Sequence, residues 1–117
     1  MPGVTLVDLE LEYSKIRNSY INNIAYYLGR IKEICRKIDP NCKLIVFGSY
    51  VRGGMRVDSD VDILLITDQA CNASYRGRVR AAIAREIGLI TPLEIHIITT
   101  KEHEEWYRKF IDVYLEV

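Results

Sequence analysis

The sequence has no long apolar run, no excess of charge of one sign and no internal repeat. Nothing approaches the roughly 20 apolar residues that cross a bilayer, and the N-terminus lacks the basic and apolar regions of a signal peptide. We therefore expect a cytoplasmic protein with no membrane contact. Sixteen basic side chains balance sixteen acidic ones, so no overall positive field would hold a long phosphate backbone. Long nucleic acid is not the expected substrate.

The cysteines form no CxxC pair. Cys35, Cys42 and Cys71 are an odd number, which argues against a secreted disulfide framework and against a zinc site. Buried or idle thiols are the favoured interpretation. A bridge between Cys35 and Cys42 is the alternative if the source is a hyperthermophile, because cytosolic disulfides occur in such organisms.

The composition is that of a globular protein, with 49% hydrophobic and 27% charged residues among 117, and predicts one domain over residues 1–117. Apolar residues at helical spacing predict one long helix over residues 9–38. Later apolar runs predict three strands, at residues 43–47, 61–67 and 92–98, and a helix at 75–87 that stops at Gly88. A capping pattern at Thr99 and Glu102 predicts a C-terminal helix continuing through Trp106, Phe110 and Val113. This order predicts a small α/β domain.

The long predicted helix has an unusually wide apolar stripe. The residues at three-four spacing are Tyr13, Tyr20, Ile24, Tyr27, Ile31, Ile34 and Ile38. Packing on the protein's own sheet is the favoured interpretation of such a stripe. The alternative is contact with a helix of a partner, or with the same helix of a second copy in a homodimer.

The chemistry concentrates between residues 48 and 62. Gly48 and Ser49 directly follow a predicted strand, so backbone amides and a hydroxyl stand at a turn, the arrangement that binds phosphate oxygens. Asp60 and Asp62 lie two positions apart on an extended segment and therefore project to the same side. Carboxylates this close repel unless a cation joins them, and such hard oxygen ligands suit Mg²⁺ or Mn²⁺ bound with a triphosphate.

Other phosphate and metal motifs do not fit this stretch. The turn has the glycine spacing of a P-loop, but Gly54 and Met55 stand where Lys and Ser or Thr are required. The alternating aspartates have the spacing that opens an EF-hand loop, yet Ile63 and Gln69 occupy its glycine and glutamate positions. No GxGxxG motif for a dinucleotide is present. A solvated turn with capping aspartates is disfavoured, because an apolar strand follows immediately.

The same stretch carries a resemblance to a known family. It consists of a glycine-serine turn, ten residues and two alternate aspartates, with the residues Gly48, Ser49, Arg52, Gly53, Ser59, Asp60 and Asp62. This pattern resembles the signature of the DNA polymerase beta-like nucleotidyltransferase superfamily. The order of helices and strands along the whole chain is similar to that of its minimal members. The resemblance implies a short mixed sheet with helices packed on one face.

The resemblance also implies how the substrate is held. Gly48 and Ser49, with Arg52 and Ser59, are expected to bind a nucleoside triphosphate, for which ATP is preferred. Two divalent cations, Mg²⁺ or Mn²⁺, are expected on the alternate aspartates, Asp60 and Asp62.

A third carboxylate from a neighbouring strand is expected in this family. Glu94 is the candidate, because a charged residue inside an apolar strand needs a partner. The family's usual residue is aspartate, and an ion pair at the rim of the fold is the alternative interpretation of Glu94. His96 shares a face with Glu94 by the two-residue period of a strand. It is expected to support the metal ligands or to be a hydrogen-bonded core histidine.

Two functions follow from these expectations. The first is metal-dependent transfer of AMP from ATP to an acceptor hydroxyl, preferably on a partner protein, because the chain is too small to carry its own acceptor domain. The second is a binding module that neutralises a helical partner by contact alone. Many minimal members of the family are similar to antitoxins that pair with a small helical HEPN protein, so a partner of that kind is expected in both cases.

Overall fold

The computed structural model of the protein describes residues 3–48, 51, 53, 60–107 and 114–117. Within these residues, helices α1, α2 and α3 cover Leu6–Asn22, Ile24–Ile38 and Ala73–Ile87. Strands β1 to β4 cover Lys43–Phe47, Val61–Ile66, Leu93–Ile98 and Tyr114–Glu116. A 3-10 turn at Asp68–Cys71 follows β2, and a short helix at Thr100–Glu102 continues as a π-helical turn at His103–Tyr107.

The four strands form one mixed sheet in the order β3-β2-β1-β4. β1 runs antiparallel to both β2 and β4, whereas β2 and β3 are parallel and connected through α3. The register pairs Phe47 with Asp62 and Asp62 with Glu94. The predicted short mixed sheet is therefore confirmed, and the register brings two of the acidic candidates onto neighbouring strands.

Alternation along the strands divides the sheet between two faces. The main core lies where one face packs against α2 and α3, and its members include Ile31, Cys35, Leu44, Val46, Ile63, Leu65, Val79 and Ile83. The opposite face carries a smaller buried cluster of Ile45, Leu64, Ile66 and Ile98. Because residues two apart in a strand share a face, Asp62 lies on the side of Leu64, and Glu94 and His96 lie on the side of Ile98.

The helix predicted over residues 9–38 is two helices that meet at Asn23. This residue has φ −117° and ψ 28°, outside the helical region, and its side chain donates a 2.8 Å hydrogen bond to the carbonyl of Ser19. The α2 half of the stripe packs on the sheet as predicted, with Ile31 and Cys35 fully buried. Within the described part of the chain, no helix has both the length and the apolar character that crossing a bilayer requires.

The first half of α1 is not covered by the rest of the described chain. Its apolar side chains, with that of Val4 just before the helix, are between 42% and 75% exposed. We call this set the α1 apolar surface, and its members are Val4, Leu6, Val7, Leu9, Leu11 and Tyr13. At 100° per residue, Leu6, Leu9 and Tyr13 lie on one side of the helix, whereas Val7 and Leu11 lie on the other. This part of α1 is therefore apolar on two sides.

The helix boundaries follow local capping chemistry. α3 begins at Asn72, whose side chain accepts hydrogen bonds from the backbone of Ser74 and Tyr75, and ends at the predicted stop Gly88, which has φ 99°. The Tyr20 hydroxyl donates a hydrogen bond to the carbonyl of Ile87. A β-carbon at Gly88 would lie 2.7 Å from that hydroxyl oxygen, so a larger residue would displace the Tyr20 side chain, and the positive φ itself favours glycine.

The C-terminal segment agrees with the prediction only at its start. Thr99 and Glu102 form the predicted reciprocal capping box. The predicted continuation through Phe110 and Val113 lies outside the described residues. The prediction missed β4, which pairs with β1 at an edge of the sheet.

Cys35 and Cys42 form a disulfide that joins the last turn of α2 to the residue before β1. Their Cα atoms are 5.6 Å apart, and both residues are fully buried. The prediction of idle thiols is therefore wrong for this pair. Cys71 is free and exposed.

We expect this disulfide to contribute about 2–3 kcal/mol to the free energy of unfolding, because it closes a short loop in the unfolded chain. Urea denaturation of the oxidised chain should show this difference from the Cys35→Ala, Cys42→Ala double variant. Adding a reductant should lower the stability of the wild type and of a Cys71→Ala control equally, and leave the double variant unchanged. Equal stability of oxidised and reduced wild type would contradict the assignment.

Candidate active site

Three strand ends meet at one rim of the sheet. Since β1 is antiparallel to β2 and β2 is parallel to β3, the end of β1 and the starts of β2 and β3 lie at the same edge. Asp62 is the second residue of β2, and Glu94 is the second residue of β3. The register places them side by side, on the face opposite α2 and α3. The fold thus holds two carboxylates together at this rim.

An imidazole joins the two carboxylates. Ligand-type atoms of Asp62, Glu94 and His96 all lie within 4.8 Å of one another. The Nε2 atom of His96 is 3.6 Å from Oε1 of Glu94. The Glu94 side chain is 53% exposed and that of His96 30% exposed, so the group is open to solvent. Carboxylate oxygens and an imidazole nitrogen are ligand atoms for divalent metal ions, and the residues present fit such an ion.

The surroundings of Asp62 disfavour its ionised form. Burial raises the pKa of Asp62 above its ordinary value of 3.8. The negative charge of Glu94, a hydrogen bond shared with Glu94 and the charge of Asp60 raise the pKa further, whereas His96 lowers it. Each of the raising effects disfavours the ionised form of Asp62. A bound cation would remove the repulsion that this arrangement imposes.

Gly48 brings the turn after β1 against Asp62. It has φ 84°, a conformation that side chains other than glycine rarely adopt. A β-carbon at this position would also overlap the Asp62 carboxylate. The backbone at Gly48 therefore approaches the carboxylate more closely than any other residue would allow.

The structure gathers some of the predicted site residues. Asp62 and Glu94 lie side by side on neighbouring strands, and their role as metal ligands stays a prediction. Asp60 is exposed just before β2 and close enough to influence Asp62, but it is not part of the three-residue ligand group. Of the residues assigned to the triphosphate, Gly48 lies at the rim. The others, Ser49, Arg52 and Ser59, lie outside the described residues.

The sequence left two alternative roles open for His96. It was expected to support the ligands or to be a hydrogen-bonded core histidine, and one of its ring nitrogens lies within 4.8 Å of an oxygen of each carboxylate. The signal was its two-residue spacing from Glu94, which places both side chains on one face of β3. Its ring also lies near Phe47, with ring centroids 6.2 Å apart.

Residues 28–114 match the profile of the nucleotidyltransferase domain family. The chain belongs to this family. The matched range contains the turn at Gly48 and all three acidic candidates, Asp60, Asp62 and Glu94. The nucleotidyltransferase assignment therefore covers the whole rim described above. A search of curated proteins found no match.

Solved structures of similar fold agree with this assignment. One, a protein provisionally described as a nucleotidyltransferase, has a TM-score of 0.66 and 27% sequence identity, over 76% of this chain and 95% of that chain. A second, provisionally described in the same way and from Sulfolobus solfataricus, has a TM-score of 0.50 and 19% identity, over 84% of this chain and 85% of its own. The second likeness concerns the fold alone.

We expect Gly48→Ala to weaken metal binding, and Gly53→Ala to serve as its matched control. Both glycines have positive φ, but only at Gly48 would the added carbon meet Asp62. Each substitution should lower the free energy of unfolding by about 1–2 kcal/mol through backbone strain. Calorimetric titration with Mn²⁺ should show reduced affinity for Gly48→Ala alone. Equal loss of Mn²⁺ affinity in both variants would refute the contact with Asp62 as the cause.

The raised pKa of Asp62 predicts a pH-dependent effect of Asp62→Asn on stability. The folded state holds the Asp62 proton more tightly than the unfolded state, so ionisation destabilises the metal-free fold as the pH rises through the folded pKa. Without divalent ions, Asp62→Asn should therefore have a higher Tm than the wild type at pH 7. The difference should vanish below the unfolded value of 3.8.

The control for this experiment is Glu12→Gln on the exposed first half of α1, which removes one negative charge away from the rim. Its Tm should follow that of the wild type at every pH. Addition of Mg²⁺ or Mn²⁺ should raise the Tm of the wild type and of this control, but not that of Asp62→Asn. A lower Tm for metal-free Asp62→Asn at pH 7 would show that Asp62 is not strained.

Proposed function

We propose that this nucleotidyltransferase transfers AMP from ATP to a hydroxyl group of a protein acceptor, with Mg²⁺ or Mn²⁺ bound at the rim of the sheet. The observation that supports the proposal is the convergence of Asp62 and Glu94 beside the turn at Gly48. Phosphates repel carboxylates, so a triphosphate can approach this rim only together with cations. A cation site beside a turn suited to phosphate oxygens is what nucleotide transfer requires.

The proposed roles divide between cation binding and triphosphate binding. Asp60, Asp62 and Glu94 would hold two divalent cations. The turn at Gly48 and Ser49 would bind the triphosphate, and the family pattern adds Arg52 and Ser59 to this role. When bound, such cations neutralise the triphosphate and lower the pKa of the acceptor hydroxyl.

The chain's own contribution is position and charge. In the proposed reaction, the acceptor oxygen forms a bond to the α-phosphorus while the bond from that phosphorus to the bridging oxygen breaks. Pyrophosphate leaves, and the hydroxyl proton passes to solvent. The Glu94 side chain is 53% exposed, so solvent and an acceptor can reach it, and the turn at Gly48 would orient the phosphates. No covalent intermediate with the protein is needed.

The acceptor is proposed to be a small helical protein of the HEPN type. The α1 apolar surface supports a protein partner, because a helix that is apolar on two sides is normally covered. Its charged residues, Asp8, Glu10 and Glu12, are all acidic over this half of the helix. A partner surface with apolar grooves and basic edges would complement it.

The same surface favours a second candidate function. A module that neutralises its partner by contact alone would need the α1 apolar surface and would not need the acidic rim. Substitutions at the rim should therefore abolish function under the first candidate and leave function intact under the second.

Transfer from α-labelled ATP in the presence of Mg²⁺ should separate the two. The acceptor to be tested is a small helical protein of the HEPN type. Asp62→Asn should lose at least about 100-fold in transfer, because the charge that holds the cation is gone, while binding of the partner is retained. The matched control is Asp68→Asn, at the far end of β2. Full neutralisation of the partner by Asp62→Asn would support contact alone, and full transfer would refute the proposed site.

A further inference from the structure

We propose that His96 is a direct ligand of the cation at the rim, so that the site prefers Mn²⁺ and other first-row transition ions to Mg²⁺. The inference deepens the proposed function and rests on it, because it concerns the same cation. It adds the preferred class of metal ion and a role for His96, which is not one of the acidic residues.

The position of His96 supports a ligand role. It follows Glu94 by two residues on β3, so both side chains leave the sheet on the same face. Its Nε2 atom lies 3.6 Å from Glu94 Oε1, beyond the usual length of a hydrogen bond. Ligands bound at about 2.0–2.2 Å from one ion stand roughly 3–3.5 Å apart. The separation observed is close to that of two atoms sharing a cation.

The neighbouring strand completes the group. Asp62 is paired with Glu94 in the parallel register, and its carboxylate lies within 4.8 Å of the ligand atoms of both Glu94 and His96. The Phe47 ring lies 6.2 Å from the His96 ring, between centroids, and limits the space in which the imidazole can turn. Two oxygens and one nitrogen thus lie within 4.8 Å of one another, and the side chains of Glu94 and His96 are partly exposed to solvent.

This donor set distinguishes between metal ions. Mg²⁺ takes oxygen ligands and keeps several waters, so a neutral imidazole adds little to its binding. Transition ions bind imidazole well, and their affinity for mixed nitrogen and oxygen sites exceeds that of Mg²⁺. Asp62 and Glu94 alone would serve either class of ion. The nitrogen of His96 is what shifts the preference.

A different role for His96 would leave a different signature. If the imidazole only held Glu94 in place as an ion pair, its removal would weaken Mg²⁺ and Mn²⁺ binding alike. If it bound the metal directly, its removal would weaken Mn²⁺ binding selectively. The comparison of the two ions therefore separates a ligand from a positioning residue.

The experiment uses the untagged full chain, stripped of metal, in three forms: wild type, His96→Gln and His103→Gln. His103 is the only other histidine and lies beyond the far end of β3, which makes it the matched control. Calorimetry should show a loss of Mn²⁺ affinity of about tenfold or more in His96→Gln, with Mg²⁺ affinity unchanged. His103→Gln should match the wild type for both ions.

Pulsed electron paramagnetic resonance gives a second readout that does not depend on activity. Mn²⁺ bound to the wild type and to His103→Gln should show ¹⁴N modulation from a coordinated imidazole, and His96→Gln should show none. Absence of this modulation in the wild type would overturn the proposal, as would an equal loss of affinity for both ions. Should His96→Gln not fold, the wild-type spectrum decides alone.

The outcomes also separate this inference from the proposed transfer reaction. Mn²⁺ binding through His96 without any nucleotide transfer would leave the ligand assignment standing and remove the proposed function. Transfer supported by Mg²⁺, with no ¹⁴N modulation on Mn²⁺, would leave the function standing and remove the ligand assignment.

Discussion

The site depends on one constraint, the side-by-side register of β2 and β3 that holds Asp62 against Glu94. Two carboxylates would separate if their backbones were free to move, because like charges repel and burial penalises the ionised form of Asp62. The strands cannot slip, since Ile63 and Leu65 on β2 and Ile97 on β3 are buried on the helical face. Hydrophobic burial on the helical face of the sheet therefore keeps Asp62 and Glu94 side by side on the opposite face, despite the repulsion between their charges.

The connection into β1 is fixed in a comparable way. The disulfide between Cys35 and Cys42 joins the last turn of α2 to the residue preceding the strand. From there β1 runs five residues, Lys43–Phe47, to the turn at Gly48. The Gly48 backbone then meets the Asp62 carboxylate. The turn and the acidic pair are thus placed by two independent anchors, one covalent and one hydrophobic.

Much of this fold could be predicted from the sequence, because its strands are short apolar runs bounded by turns. β1 lies where predicted, and β2 and β3 differ from the prediction by one residue at one end. The break at Asn23 could not be predicted, since the apolar stripe continues across it. The strand Tyr114–Glu116 was missed because three exposed edge residues carry no periodic signal. The sequence offered Asp60, Asp62 and Glu94 as ligands, and their role stays a prediction, whereas the place of His96 beside Asp62 and Glu94 depends on distances that spacing alone does not give.

The interruption at Asn23 separates a helix that packs in the core from a helix whose first half is exposed. Helix α2 packs in the core. A substitution on its buried face changes the packing of the sheet, and the sheet carries the acidic rim on its other face. The first half of α1 has no such packing role, since its side chains are largely exposed. Mutations there can accumulate without displacing Asp62, Glu94 or His96. Divergence between relatives is therefore expected to concentrate in the N-terminal helix, while the sheet and its acidic rim change more slowly.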